Sequence, residues 1–349
     1  MKRRLITLTL SALLLFSLSP AASAAFTDVP SSHWAYGDIM DASEAGLFQG
    51  ISSTTFGRGQ TITRAQFVTA LVRLFGWESV TPSTPTYSDC APGRWYYSAV
   101  ETAHANGALP TYATAFRPSD PITREEMASM LVRGLGYSAL AGQLSAAELP
   151  FSDVTSNRGY VAVAYDLGII TGYADSTFRP RETALREHAA VMLMRVYNKL
   201  HASSIDVTAS SDSYISIHVP TPAATAETTI PTTPLEPIGS LYSLLRRYKE
   251  AGTDLSRVAV VFSAGGVATA VRGSKILSSE SVSADQVEAY LSSSEGNTHY
   301  SDTYASAYLT IPDGSSTVTL WYQSDESLAA KLQLCRLFGV SHYILEDPA

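Results

Sequence analysis

Arginines recur at one fixed place in the first two hundred residues of this sequence. Arg64, Arg124 and Arg186 each follow a phenylalanine by eight residues (Phe56, Phe116, Phe178) and precede a second arginine by nine (Arg73, Arg133, Arg195). An aspartate opens each segment: Asp28 in Phe26-Thr27-Asp28-Val29, Asp89 in Tyr87-Ser88-Asp89-Cys90 and Asp153 in Phe151-Ser152-Asp153-Val154, spaced 61 and 64 residues apart. A guanidinium holds a carboxylate through paired, planar N–H donors, a geometry that an ammonium lacks. Residues 25–200 carry twelve arginines and one lysine, Lys199. The chemistry that suits them is recognition of a carboxylate-bearing ligand. The indoles of Trp34 and Trp95 offer flat faces for a sugar ring or, equally, bulk for a core. The three aspartates either share in the ligand grooves or fix turns beside them. Arg73, Arg133 and Arg195 are expected to pair with acids or to cover the core with their stems.

Each segment reads as helix, turn, helix. The first helix stops at Gly46, Gly107 or Gly168, where glycine suits a left-handed C-cap. Two of the turns end in Arg-Pro (Arg117-Pro118, Arg179-Pro180), and proline cannot continue a helix. Thr63 and Thr123 precede their arginines, with Gln66 and Glu126 three residues on, which is the spacing of a capping box at the start of the second helix. An arginine there adds its charge to the free N–H groups of the helix start, which favours an anion. The third copy departs from this pattern. It has no Trp, Tyr160 matches that position only loosely, and Leu185 stands where the others have Thr.

Composition narrows the classes further. The 349 residues are 45% hydrophobic and 16% charged, with a formal net charge of -8. Nucleic acid is an unsuitable partner for such an acidic chain. Two cysteines, Cys90 and Cys335, exclude a disulfide-knit scaffold or Cys-rich zinc module, and are free thiols or a single bridge. His299 and His342 form no metal set with them, and no metal or cofactor is expected. Lys2, Arg3 and Arg4, an apolar run from Leu5 to Leu18, and Ala22-Ser23-Ala24 read as a signal peptide over residues 1–24. Its apolar run is too short to cross ~30 Å of bilayer at 1.5 Å per residue. The mature chain is therefore expected outside the cell, with no membrane span.

The three segments together resemble the S-layer homology repeat. The residues that carry the likeness are Phe26-x-Asp28-Val29, His33-Trp34-Ala35, Ile62-Thr63-Arg64-Ala65-Gln66, Ile122-Thr123-Arg124-Glu125-Glu126 and Gly172-Tyr173-Ala174-Asp175 with Phe178-Arg179-Pro180. The resemblance implies an all-α pseudo-threefold module of helix-turn-helix repeats, placed at 25–80, 86–140 and 150–200. It also implies that the module binds a secondary cell-wall polymer, often ending in a pyruvate ketal, and anchors the protein to the bacterial cell surface. Its ligand-binding residues would be Arg64, Arg124, Arg186, Trp34, Trp95, Asp28, Asp89 and Asp153.

Residues 201–239, rich in Pro and Thr, read as a linker. Beyond them, Leu241–Glu250, residues 283–293 and Ser327–Phe338 read as helices, and Val258–Phe262, Thr317–Tyr322 and His342–Leu345 as strands. That order predicts a small parallel α/β unit over 240–349. The run Val318-Thr319-Leu320-Trp321-Tyr322-Gln323-Ser324-Asp325-Glu326-Ser327-Leu328, with Lys331-Leu332 and Phe338-Gly339-Val340, is similar to the closing part of family 18 glycoside hydrolases. A full barrel needs about 250 residues, and that family's Asp-x-x-Asp-x-Asp-x-Glu motif is absent. The resemblance therefore implies a degenerate, non-catalytic module in which Trp321 is a candidate glycan contact. The rival readings are a wall- or chitin-active hydrolase relative, or a surface-layer subunit that self-associates.

Overall fold

The computed structural model describes residues 26–202, 228–231, 236–293, 298–340 and 342–346. The signal-peptide reading at 1–24 and most of the Pro/Thr-rich stretch lie outside them.

The N-terminal region is helical. Repeat one supplies α1 (Tyr36–Glu44) and α2 (Arg64–Phe75), repeat two α3 (Tyr97–Ala105) and α4 (Arg124–Gly134). A short α5 (Ser138–Gln143) follows, and repeat three supplies α6 (Arg158–Asp166) and α7 (Arg186–His201). Thr63 and Thr123 cap α2 and α4 in complete capping boxes with Gln66 and Glu126. Leu185 offers α7 no such oxygen, and instead the Leu185 N–H donates to His188 Nδ1 at 3.4 Å. Gly46, Gly107 and Gly168 all have positive φ, as a left-handed cap requires.

The first helix of each repeat packs on the second helix of another: α3 on α2, α6 on α4, α1 on α7. Backbone hydrogen bonds close the ring. Ile62 N–H donates to Ala184 O at 3.0 Å, Ala184 N–H to Ile122 O at 2.8 Å, and Ile122 N–H to Ile62 O at 3.0 Å. A second ring lies just outside, with Arg64 N–H to Asp120 O, Arg124 N–H to Glu182 O and Arg186 N–H to Gln60 O, at 2.9–3.0 Å. These bonds correct the sequence reading of an anion site at the helix starts. The first N–H groups of α2, α4 and α7 are spent on carbonyls of the neighbouring repeat.

The C-terminal region is α/β, but its strands divide into two sheets. β1 (Thr228–Pro231), β2 (Val258–Ser263) and β8 (His342–Glu346) form a parallel sheet in the order β1-β2-β8. β1 lies inside the stretch read as linker, so ordered structure begins before residue 240. Helices α8 (Ile238–Glu250) and α10 (Asp325–Phe338) belong to this part. Between β2 and α10 come β3 (Gly266–Arg272), β4 (Lys275–Val282), α9 (Ala284–Ser293), β5 (Thr298–Ser301), β6 (Ser306–Asp313) and β7 (Ser316–Tyr322). They form an antiparallel sheet, β4-β3-β7-β6-β5. The strand at Thr317–Tyr322 is therefore antiparallel and no partner of β2. Gly273-Ser274 and Gly314-Ser315 are the two-residue hairpin loops that make it so, each with glycine at positive φ.

The two regions share one apolar core rather than hanging on a tether. Gln333 of α10 donates to Leu135 O at 2.9 Å and Tyr137 Oη at 3.2 Å, and Arg336 donates to Leu200 O at 2.9 Å. Lys199 Nζ donates to Leu337 O at 2.9 Å. The Tyr242 hydroxyl donates to Asp166, whose carboxylate also lies 3.5 Å from Arg246 Nε. Both cysteines are buried free thiols.

Lys331 is a buried lysine in this core. It is fully buried on α10 and donates to Gln323 Oε1 at 3.1 Å and Ser306 Oγ at 3.3 Å. Burial pushes its ammonium down from 10.5 to about 7. Between those values the unfolded chain binds a proton that the folded chain does not, so stability rises with pH across that window. Denaturant unfolding at pH 7, 8 and 9 should show Lys331→Met losing this rise, worth up to about 1.4 kcal/mol per pH unit. Parallel pH profiles for the two proteins would contradict the assignment.

Candidate functional site

The junctions between repeats are built from the repeated Asp, Phe and Arg. In repeat one the Asp28 carboxylate accepts from the backbone N–H groups of Phe56, Gly57 and Arg58 at 2.7–2.8 Å. Asp89 does the same for Phe116 and Arg117, and Asp153 for Phe178 and Arg179, also at 2.7–2.8 Å. Burial pushes Asp28 and Asp89 up, but the backbone donors outweigh it and hold both below the ordinary carboxylate value. The residue after each Phe is left-handed: Gly57 at φ 90°, Arg117 at 60°, Arg179 at 55°. The three aspartates thus shape loops, and their oxygens face backbone rather than a groove.

Each loop presents its Phe carbonyl to the arginine of another repeat. Arg64 Nε donates to Phe116 O at 2.7 Å, Arg124 Nε to Phe178 O at 2.9 Å, and Arg186 Nε to Phe56 O at 2.8 Å. Each guanidinium also lies over that Phe ring, at 4.8–5.0 Å. The sequence shows the Arg and Phe within one repeat; the contact runs between repeats. Desolvation lowers all three arginines, yet a guanidinium stays charged.

The junctions differ in what is left for a ligand. Arg64 is only 6% exposed and is paired with Glu126, which also takes Arg117. Arg186 is 4% exposed and spends Nη2 on Gln49 O at 2.8 Å. Arg124 is half-buried, and no carboxylate among the described residues forms an ion pair with it. Its Nη2 donates to Thr171 O at 3.0 Å, and its guanidinium carbon lies 5.1 Å from the centre of the Tyr173 ring. Arg179 approaches the same ring at 3.9 Å while bonded to Asp175 at 3.2 Å. His188 completes this junction. Burial, and secondarily the Arg124 charge, push its imidazole below the ordinary value.

Trp34 and Trp95 are surface residues, 61% and 66% exposed. The Trp34 ring lies 5.8 Å from that of His188, so repeat one brings an indole toward the Arg124 junction. The structure also replaces the loose match at Tyr160. Trp34 and Trp95 stand twelve residues before Gly46 and Gly107, and Ser156 stands twelve before Gly168. Ser156 donates to Glu125 at 3.0 Å, while Tyr160 lies under the Arg133 guanidinium at 4.3 Å. Sequence reasoning passed over Tyr173, Arg179 and His188 as site residues. The run Gly172-Tyr173 to Arg179-Pro180 is the local signal for the first two, and His188 lies outside it.

Trp321 sits on β7, half-buried, far along the chain from these junctions. Its ring packs on Tyr308 at 4.6 Å and on Tyr304 at 5.4 Å. Among the described residues no cluster of His, Cys, Asp and Glu could hold a metal ion, and no helix is long and apolar enough to cross a membrane.

Comparison with known proteins places the N-terminal region. The family model for the S-layer homology domain matches residues 25–68, 86–128 and 150–190. An amylopullulanase of Thermoanaerobacterium thermosulfurigenes is 30% identical over 178 residues, 50% of this chain and 10% of the relative. The S-layer protein Sap of Bacillus anthracis is 27% identical over 51% of this chain and 22% of its own length. A cellulosome-anchoring protein of Acetivibrio thermocellus is 34% identical over 39% of this chain and 30% of the relative. The chain thus spans less than a third of each. The Bacillus cereus spore cortex-lytic enzyme SleL overlaps 34% of this chain and 27% of its own at 16% identity, with a TM-score of 0.28, a likeness that carries no argument. With a family match on each of the three segments and the closed ring they form, residues 25–190 are three consecutive S-layer homology domains.

Proposed function

We propose that the S-layer homology domains anchor this chain to the bacterial cell wall by binding an anionic secondary wall polymer, with a pyruvylated sugar as the best-fitting end group. The observation that carries this reading is Arg124, a half-buried cation that forms no ion pair with a carboxylate among the described residues and lies beside Tyr173, with Arg179 over the same ring and the Trp34 indole against His188. A pyruvate ketal presents a carboxylate for the guanidinium and an apolar ring face for the aromatics. The names of the relatives agree with a place at the cell surface, since they include S-layer and cellulosome-anchoring proteins. The Arg64 and Arg186 junctions are secondary subsites in this reading, because both residues are more buried and Arg64 is already paired with Glu126.

The C-terminal α/β region is, in this proposal, a binding or spacing module without hydrolytic activity. Family 18 chemistry needs an acid held beside the scissile oxygen, and the acidic motif that supplies it there is missing from this sequence. One experiment addresses both halves of the proposal. Labelled walls, before and after extraction of their non-peptidoglycan polymer, are incubated with the full chain, then pelleted. The protein is expected to sediment only with unextracted walls and to release no soluble fragments. Equal sedimentation with bare peptidoglycan would refute the anchoring, and fragments above a heat-inactivated control would refute the absence of hydrolysis.

A further inference from the structure

The third residue of each second helix accepts the N–H of the residue just before that helix: Gln66 from Thr63 at 3.0 Å, Glu126 from Thr123 at 2.9 Å and His188 from Leu185 at 3.4 Å. In repeat two this residue has a further task, since the Glu126 carboxylate ion-pairs with Arg64 of repeat one. The threefold arrangement sets His188 of repeat three in the same relation to Arg124 of repeat two. The starts of α4 and α7 are joined by Arg124 N–H to Glu182 O at 3.0 Å and by the bridge between Thr123 and Thr183, and the Arg124 charge reaches the imidazole. Where one junction carries a carboxylate that cancels its arginine, the next carries a group that can add a second positive charge. On α7 the Leu185 bond to Nδ1 leaves the proton of the neutral ring on Nε2. From repeat one the Trp34 indole lies 5.8 Å from the imidazole, and His33 lies 5.6 Å from that indole. Two carboxylates act on His188, and both are bonded elsewhere. Glu187 accepts from Gly59 N–H at 3.1 Å and Glu182 from the Tyr173 hydroxyl at 3.2 Å.

We infer that His188 is a second cationic contact for the anion held at Arg124, and that binding recruits it: the ligand carboxylate draws one proton from solvent onto the imidazole, and guanidinium and imidazolium then hold the carboxylate together. This rests on the anion-binding reading of the Arg124 junction and adds proton uptake to it. Without a ligand, an imidazolium here would face Arg124 with no carboxylate of its own, and burial opposes it further. A bound carboxylate removes that repulsion. The Trp34 ring, within the ~6 Å reach of a cation–π contact, favours the same charged form. The free imidazole titrates below the ordinary histidine value, and the anion raises it. Affinity is therefore flat above the higher of these two values and below the lower one, and it rises as pH falls between them. A sugar carboxylate, ionised above about pH 4, keeps its charge throughout. The chain would hold an anionic polymer more tightly in mild acid than at neutral pH.

Titration calorimetry of the full chain with a pyruvylated saccharide, from about pH 7.5 down to about pH 5 in two buffers of different ionisation heat, tests this. Affinity is expected to rise roughly fivefold or more over that range, and the difference between the buffers should report a fraction of a proton taken up per site near the middle of it. His188→Gln gives α7 the same capping side chain that α2 has in Gln66, so the helix start is kept. Its affinity should be flat with pH, with no proton uptake. His33→Gln, which alters the other imidazole beside Trp34, should keep both. Flat affinity in the parent chain would overturn the inference and leave the anchoring reading standing. So would a pH dependence that survives His188→Gln or that is lost in His33→Gln. No binding at any pH would overturn both.

Discussion

Replacing Arg124 by alanine should weaken binding to a pyruvylated wall saccharide by roughly 10- to 150-fold, the equivalent of ~1.5–3 kcal/mol for a charge-assisted hydrogen bond. The size follows from its surroundings. Among the described residues Arg124 has no ion-paired carboxylate, Glu182 acting on it only at longer range, and Tyr173 and Phe178 wall its guanidinium at 5.1 and 4.8 Å. A ligand carboxylate there would meet a cation that gives up no other ion pair. Arg64→Ala should have a smaller effect, because Glu126 already neutralises that guanidinium. Arg124→Lys should also fail, since an ammonium cannot both donate to the Phe178 and Thr171 carbonyls and present a paired fork. Calorimetry with the saccharide, alongside circular dichroism to confirm folding, checks the order. Equal losses in the Arg64 and Arg124 variants would show that bonding within the protein does not rank the junctions.

Gly159→Ala should be the most damaging single methyl group in the helical region. Gly159 lies in α6 against α5, and a Cβ there would stand 1.7 Å from the Ala141 carbonyl oxygen. The obstacle is backbone, so the two helices must separate. Overpacking of this kind costs about 1–3 kcal/mol, and each kcal/mol lowers Tm by roughly 2–4 °C in a chain of 150–250 residues. The damage should spread to the C-terminal region, because α5 also packs on α8 and Gln143 donates to Thr303 O at 3.2 Å. Gly37→Ala is the matched control. A Cβ there meets nothing within 4 Å, and in a helix alanine is favoured over glycine by ~1 kcal/mol. Thermal unfolding of both variants should give opposite signs. A Gly159→Ala protein as stable as the parent would mean that α5 is not held where the structure places it.

The helical region was legible because its signals are local and repeated three times. Capping boxes at Thr63 and Thr123, glycines at the first-helix ends and apolar faces each act within a few residues. Copies in register exposed them without any tertiary knowledge. The sheet of the C-terminal region was legible only in part. Buried β2 announced itself as an apolar run, whereas β4 is a polar edge strand whose seven leading residues are exposed, and polarity there reads as loop. The glycine-serine loops at 273–274 and 314–315 were the available hairpin signals.

For this protein the sequence by itself determined which residues recur, and therefore the repeat, its helices and its S-layer homology. A periodic pattern of caps and apolar faces acts over single turns and needs no distant partner. Only the tertiary structure decided what those residues do. Asp28, Asp89 and Asp153 became loop anchors because backbone N–H groups some 25 or more residues away fall onto their carboxylates. The three arginines ceased to be equivalent because each reaches into a different repeat, where Glu126, Thr171 or Gln49 awaits it. The row of Trp321, Tyr308 and His299 exists only through strand register. Contacts between residues far apart in the chain depend on how the ring and the sheet close, and no spacing within one repeat or one strand carries that information.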